Sequence, residues 1–372
     1  MRIAIPTEIK NNEYRVAITP AGVHELVARG HEVFIQAGAG AGSGFTDADF
    51  VAQGAKMLNT AEEVWAHGDL LLKVKEPIKA EYKLMRRDQL LFTYLHLAAS
   101  RECTEALLAA GTTAIAYETV QLANRALPLL QPMSEVAGRL SAQIGAYQLM
   151  KNEGGTGVLM GGVPGTPKAK VVVIGGGVAG EHAATIANGM QADVTVIDIS
   201  IPKLREIDER FGGQVKTRVS TAYEIAEQLR DADLVIGSVL IPGEKAPKLV
   251  TDAMVKTMKP GSVLVDIAID QGGCFENSKP TTHDAPTFKV HNSVYYCVAN
   301  MPGAVPATST RALTNATLQY VLALADKGWQ QALRKDEALA KGLNTHDGKI
   351  TYSGVAQAFP DLPSVELATV LA

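Results

Sequence analysis

Residues 170–198 read KVVVIGGGVAGEHAATIANGMQADVTVID. The apolar run Val171 to Ile174 leads into Gly175-Gly176-Gly177-Val178-Ala179-Gly180. An alanine-rich helical stretch follows, and a second apolar run, Val194 to Ile197, ends at Asp198. The order is strand, tight turn, helix, strand, acid, which is the pattern of a dinucleotide-binding βαβ unit. Gly175 permits the turn, Gly177 lets the backbone approach a pyrophosphate, and Gly180 lets the helix pack close to the strand. The helix N-terminus offers unpaired N–H groups to the phosphates. Asp198 stands 18 residues beyond Gly180, where a carboxylate accepts hydrogen bonds from a ribose. A glycine-rich turn without a ligand is the plain alternative, and the surrounding βαβ pattern argues against it. An acid at this place repels a 2′-phosphate, so the expected cofactor is NAD. Lys203 and Arg205 lie near enough to keep NADP as the minor alternative.

The rest of the chain bounds this reading. At 372 residues two domains are expected. The composition, 47% hydrophobic and 20% charged with 34 glycines, suits a soluble α/β enzyme. A net charge of −4 gives no reason to expect nucleic acid or an anionic membrane as partner. Cys103, Cys274 and Cys297 are scattered and form no CxxC pair, so they read as buried thiols in a reducing, cytoplasmic setting. MRIAIPTEIK is a short strand followed by charge, unlike a signal peptide, and no apolar run approaches the ~18 residues of a membrane span.

Strand and helix signals alternate through the first 128 residues. Strands are expected at Ile3–Ile5, Glu32–Gln36, Leu70–Val74, Leu90–Tyr94 and Thr113–Tyr117. A helix starts at Thr19-Pro20, and others lie near Asp47–Gln53 and Arg101–Ala110. Ser134 is expected to cap a long helix reaching Met150, and residues 154–165 form a loop. Beyond the glycine turn, strands near Val215–Val219, Asp233–Gly237, Ser262–Asp266 and Tyr295–Val298 extend one parallel sheet. The tail 307–372 opens with Thr308 or Ser309 as a cap and reads as mostly helix. It is too short for a core of its own, so the chain is expected to return to the first domain. The fold class is therefore α/β, with two Rossmann-like domains on parallel sheets. Residues 1–128 plus 307–372 form a substrate domain, and residues 129–306 form an inserted NAD domain with the catalytic cleft between them.

Ligands of α/β sheets gather at the carboxyl ends of strands. Arg15 follows the first strand in a polar loop, Lys75 ends LLLKVKEP, and His96 ends LLFTYLH. Such groups supply a cation for a carboxylate and an acid/base. The plain alternatives are a surface charge, a solvated strand end and a hydrogen-bonded turn histidine. Asp270 stands just past a buried strand in DIAIDQGG, with better access to a ligand than Asp266, which reads as a structural acid. A turn aspartate capping its own backbone is the alternative for Asp270.

Over essentially its full length the chain resembles the alanine dehydrogenase family. The segments that carry the likeness are IPTEIKNNEYRVAITP, LLLKVKEP, LFTYLHLAA, the glycine fingerprint, DIAIDQGG and NSVYYCVANMPGAVPATST. The resemblance implies that Arg15 and Lys75 bind the substrate and that His96 and Asp270 do the acid/base work. It implies a cofactor shell of Ser134, Val178, Asp198, Lys203, Ser220, Val239, Leu240, Ile267, Ala268, Ile269, Asp270, Val298, Ala299, Asn300 and Met301, beside Gly175, Gly177 and Gly180. The partners so implied are L-alanine, pyruvate and ammonium, with a homohexamer as the assembly. Some relatives carry a Glu/His metal pair in the C-terminal helix. Here position 323 is Ala and 327 is Lys, so no metal is expected. The nicotinamide domain of proton-translocating transhydrogenase is similar in its opening sequence but lacks the histidine of LHLAA, and its chains are tied to membrane domains. A transhydrogenase-like subunit and a non-catalytic NAD sensor are the competing readings.

Overall fold

A computed structural model describes residues 1–239 and 246–372. The chain divides into two compact units, Met1–Met133 with Gly303–Ala372, and Ser134–Pro302.

Among the described residues the strands are β1 (Arg2–Ile5), β2 (Glu32–Gln36), β3 (Lys56–Leu58), β4 (Leu70–Leu72), β5 (Leu90–Thr93) and β6 (Thr113–Ala116). The second unit holds β7 (Lys170–Ile174), β8 (Asp193–Asp198), β9 (Lys216–Val219), β10 (Leu234–Gly237), β11 (Val263–Asp266), β12 (Thr287–Val290) and β13 (Ser293–Tyr296). The tail adds β14 (Leu343–His346) and β15 (Lys349–Ile350) to the first unit.

The first sheet runs β15-β14-β6-β5-β4-β1-β2-β3 and the second β12-β13-β11-β10-β7-β8-β9. Strands β1 to β6 are parallel in the order 3-2-1-4-5-6, and the second sheet repeats that order. Both are doubly wound sheets of the Rossmann type. Such sheets bind ligands at the switch point outside the carboxyl ends of their strands. The switch lies between β1 and β4 in the first unit and between β7 and β10 in the second.

The unbroken run Val171–Ile174 is buried because both faces of its sheet are covered. Val171 and Val173 pack with Ala183, Ala184 and Ala187 of the helix Val178–Gly189. Val172 and Ile174 face the other way, onto Ile225 and Leu229 of the helix Ala222–Arg230. In the first unit Ala4, Leu71, Leu91 and Ala114 build one core with Trp65 and Leu107.

Four local expectations are corrected. The second sheet is not wholly parallel, because β12 pairs antiparallel with β13 at its edge. The tail is not only helix: β14 pairs antiparallel with β6 and β15 with β14. The long helix starts at Gln131, so Ser134 lies inside its first turn and does not cap it. The tail helix runs Pro306–Lys327 with Val305 at the cap position, which places Thr308 and Ser309 within the first turn. In both helices a proline at or near the first helical position presets the backbone dihedral and moves the start upstream of the hydroxyl residues.

Candidate active site

In the second unit the glycine turn joins β7 to the helix Val178–Gly189. Gly175 has φ +100°, a conformation that favours glycine. A Cβ at Gly180 would strike the carbonyl oxygen of Gly175, so only glycine lets helix and strand approach this closely. A Cβ at Gly177 would meet nothing within 4 Å. The space in front of the helix N-terminus is thus open, as a pyrophosphate requires.

The Gly176 N–H donates to Asp198 Oδ2 at 2.6 Å, and the Ser200 N–H donates to Oδ1 at 2.8 Å. Ser238 Oγ donates to the carbonyls of Ile174 and Gly175 at 3.0 and 2.9 Å, clamping the turn from β10. Ser220 follows β9, and its N–H reaches the Asp198 carbonyl at 2.9 Å. Lys203 lies in the helix Ile201–Phe211 and pairs with Glu206.

The other expected cofactor residues follow the same edge. Val239 lies just past β10, and Ile267, Ala268, Ile269 and Asp270 form a turn after β11. Val298, Ala299, Asn300 and Met301 follow β13, with Asn300 at φ +69°. Ser134 begins the unit. Leu240 lies outside the described residues. Asp270 is exposed, whereas Asp266 is fully buried and accepts N–H groups from Ala268, Cys274 and Phe275. Asp266 is the structural acid of this turn. These positions fit a dinucleotide laid across the carboxyl edge of the sheet.

In the first unit Arg15, Lys75 and His96 lie past the ends of β1, β4 and β5. Arg15 is buried and forms a two-pronged pair with Glu13, Nε to Oε1 at 2.7 Å and Nη2 to Oε2 at 2.6 Å. Burial opposes the Arg15 cation, but the hydrogen bond and charge of Glu13 outweigh it and raise the guanidinium above its ordinary value. Nη1 rests on the Met133 sulfur at 3.0 Å, a weak acceptor that a carboxylate displaces readily. The loop itself is pinned by Thr310, whose Oγ1 accepts the Val16 N–H and bonds Ser43 Oγ at 2.7 Å. A cavity of about 330 Å³ is lined by residues of this loop, Arg15 and Glu8 among them.

Lys75 is buried, and among the described residues its ammonium makes no ion pair. Its backbone is fixed from below. Glu8, just past β1, accepts the Val74 N–H at 2.6 Å and pairs with the fully buried Lys73 at 3.1 Å; Lys73 also pairs with Glu81 at 2.8 Å. Burial lowers the affinity of Lys73 for its proton, but the two carboxylates more than restore it.

His96 has φ +49° and ψ 38°, which is uncommon for a residue with a side chain. Glu118 holds it there. Its carboxylate accepts the Leu95 N–H at 3.2 Å and the His96 N–H at 2.6 Å, with Oε1 at 4.0 Å from His96 Nδ1. The imidazole is parallel to the Tyr94 ring and 36% exposed, so it is oriented yet reachable. Glu13, Glu8 and Glu118 were not among the residues singled out from sequence. Each acts on a neighbour brought close only by the fold, except Glu13, whose place two residues before Arg15 was visible without revealing the pairing.

A switch-point dinucleotide cradle in one unit and a cation-plus-histidine constellation in the other define a nicotinamide-dinucleotide-dependent α/β oxidoreductase. The comparisons with known proteins narrow the class. The family descriptions "Alanine dehydrogenase/PNT, N-terminal domain" and "Alanine dehydrogenase/PNT, C-terminal domain" match residues 4–137 and 141–353. An alanine dehydrogenase from Mycolicibacterium smegmatis is 67% identical over 372 residues, covering 100% of both chains. A solved L-alanine dehydrogenase superposes with a TM-score of 0.93 at 52% identity, over 97% of this chain and 99% of that one. A transhydrogenase structure from Sinorhizobium meliloti is more distant, with a TM-score of 0.81 at 27% identity over 94% and 100%. The chain belongs to the alanine dehydrogenase family. Among the described residues no helix is long and apolar enough to cross a membrane.

Proposed function

We propose that this chain interconverts L-alanine and pyruvate plus ammonium with NAD as the hydride partner. The observation that carries the reading is the set Arg15, Lys75 and His96 at the carboxyl ends of one doubly wound sheet, in a chain matched end to end by alanine dehydrogenase. Asp198 supports NAD over NADP, since an acid at the end of the second strand of the βαβ unit repels a 2′-phosphate.

Arg15 and Lys75 hold the substrate carboxylate, Arg15 through the Nη1 side that Glu13 does not occupy. Two fixed cations orient Cα before any bond changes. The bound dinucleotide supplies the hydride acceptor for deamination and the hydride donor for amination. His96 and Asp270 carry the protons as water adds to the imine carbon and the carbinolamine collapses to pyruvate and ammonium. An imidazole suits this work because its unperturbed pKa is about 6.5. Glu118 keeps the ring aimed.

The test is loss of the NADH absorbance band with purified protein, pyruvate and ammonium. Ammonium-dependent loss is expected. No loss with pyruvate or any other small keto acid would overturn the reading. Arg15→Ala is expected to raise the KM for pyruvate at least roughly tenfold, the worth of a charged hydrogen bond.

A further inference from the structure

We propose that Glu76 binds the nitrogen of the reaction: its Oε2 accepts N–H groups from the ammonium ion that is substrate in amination. The inference rests on the alanine dehydrogenase reading and adds to it a site for the second small substrate.

Glu76 directly follows Lys75. Strand-to-strand bonds continue beyond β4 and β5: Lys73 N–H to the Phe92 carbonyl and Tyr94 N–H to the Val74 carbonyl, both at 3.3 Å, then Thr93 Oγ1 to the Lys75 carbonyl at 3.1 Å. The Tyr94 bond falls on Val74 where the β4–β5 register would put Lys73, so the pairing slips by one residue here, and His96 is near enough for its charge to act on Glu76. The Glu76 side chain is 15% exposed, and Oε1 is paired with Lys10. Oε2 is buried and has no hydrogen-bond partner among the described residues. A buried carboxylate oxygen without a donor is rare in folded chains, because its lost hydration goes uncompensated. Burial pushes the Glu76 carboxyl upward, but the charges of Lys75, Lys10 and His96 outweigh it and hold it below the usual range. The acceptor is therefore anionic near neutral pH.

What Oε2 lacks is a donor; Glu76 follows a substrate-binding lysine in the chain, and the charge of a proton-transfer histidine acts on its carboxylate. The keto acid cannot serve, since its carboxylate would be repelled. Ammonium can: it is small, cationic and has four N–H groups. The three neighbours then divide the substrates among them, Lys75 taking the carboxylate, His96 the proton and Glu76 the nitrogen.

The test uses the full chain and initial rates of NADH oxidation, with pyruvate and ammonium varied in turn. Glu76→Gln keeps the shape but loses the charge. It is expected to raise the KM for ammonium roughly tenfold or more, while the KM for pyruvate moves by less than about twofold. Lys10→Met removes the cation that competes for the same carboxylate and is expected to lower the KM for ammonium. A merely structural role for the Lys10–Glu76 pair would worsen both variants alike. An unchanged ammonium KM in folded Glu76→Gln, or a raised one in Lys10→Met, overturns the proposal. The second variant decides the matter if the first does not fold. Wild-type protein that shows no ammonium-dependent oxidation would overturn the parent reading as well; normal wild-type turnover with unaltered variants would overturn this proposal alone.

Discussion

Asp198 Oδ2 accepts the Gly176 N–H at 2.6 Å, which ties the acid at the end of β8 to the glycine turn at the end of β7. One carboxylate thus has two uses. It fixes the turn, and it presents negative charge where the adenosine ribose of a dinucleotide is expected. The Gly176 N–H is spent on Asp198, which leaves the amides at and beyond Gly177 for the phosphates.

Asp198→Ala removes both uses. It is expected to raise the KM for NADH at least roughly tenfold and to narrow the preference for NADH over NADPH. Steady-state kinetics with both cofactors checks this. An unchanged ratio of the two kcat/KM values would show that Asp198 does not select the cofactor.

Gly177 and Gly180 separate binding from folding. Alanine at 177 meets no protein atom within 4 Å, so its thermal midpoint should match the wild type while the Kd for NADH rises at least roughly tenfold. Alanine at 180 drives a methyl group into the Gly175 carbonyl and lies 2.7 Å from Ser238 Oγ, so it should cost about 1–3 kcal/mol of stability. Thermal melts and NADH titrations of the two variants give opposite patterns if the cradle is as described.

Two imidazoles make stability depend on pH. Burial, then repulsion from Arg139, holds His182 below its ordinary value of 6.5, and burial with Arg87 does the same for His346. The unfolded chain therefore binds these protons more tightly than the folded one. The stabilisation is complete above pH 6.5 and is lost as pH falls through the depressed folded values. Melting temperature is expected to drop between about pH 7.5 and about pH 5.5. His346→Gln, which can keep a hydrogen bond to Thr113 Oγ1, should shrink that drop; an identical drop would remove His346 from the account.

The fold was legible where local signals and tertiary structure agree. Val171–Ile174 with its glycines had to be a buried strand and turn, and most of the parallel strands followed from apolar runs, though the short edge strand β3 did not. The antiparallel strands β12, β14 and β15 were not legible, because edge strands such as Thr287–Val290 are only half-buried and carry no clean alternation. The helix starts at Gln131 and Pro306 were misplaced because Ser134, Thr308 and Ser309 look like caps, while nearby prolines set the true beginnings. At the candidate site, Arg15, Lys75 and His96 stood out by chemistry and position. Their partners did not. Glu118 lies 22 residues from His96 and Glu8 65 from Lys73 in sequence, and only the parallel register brings them together.

The central claim is that His96 and Asp270 move the protons of alanine deamination. It is tested most directly by kcat for L-alanine in wild type, His96→Ala and Asp270→Asn, each first shown to bind NADH. The account predicts ammonium-releasing turnover by the wild type. It predicts a fall in kcat of roughly 10²- to 10⁴-fold in each variant with NADH affinity retained. Normal kcat in either folded variant would contradict it and remove that residue from the mechanism.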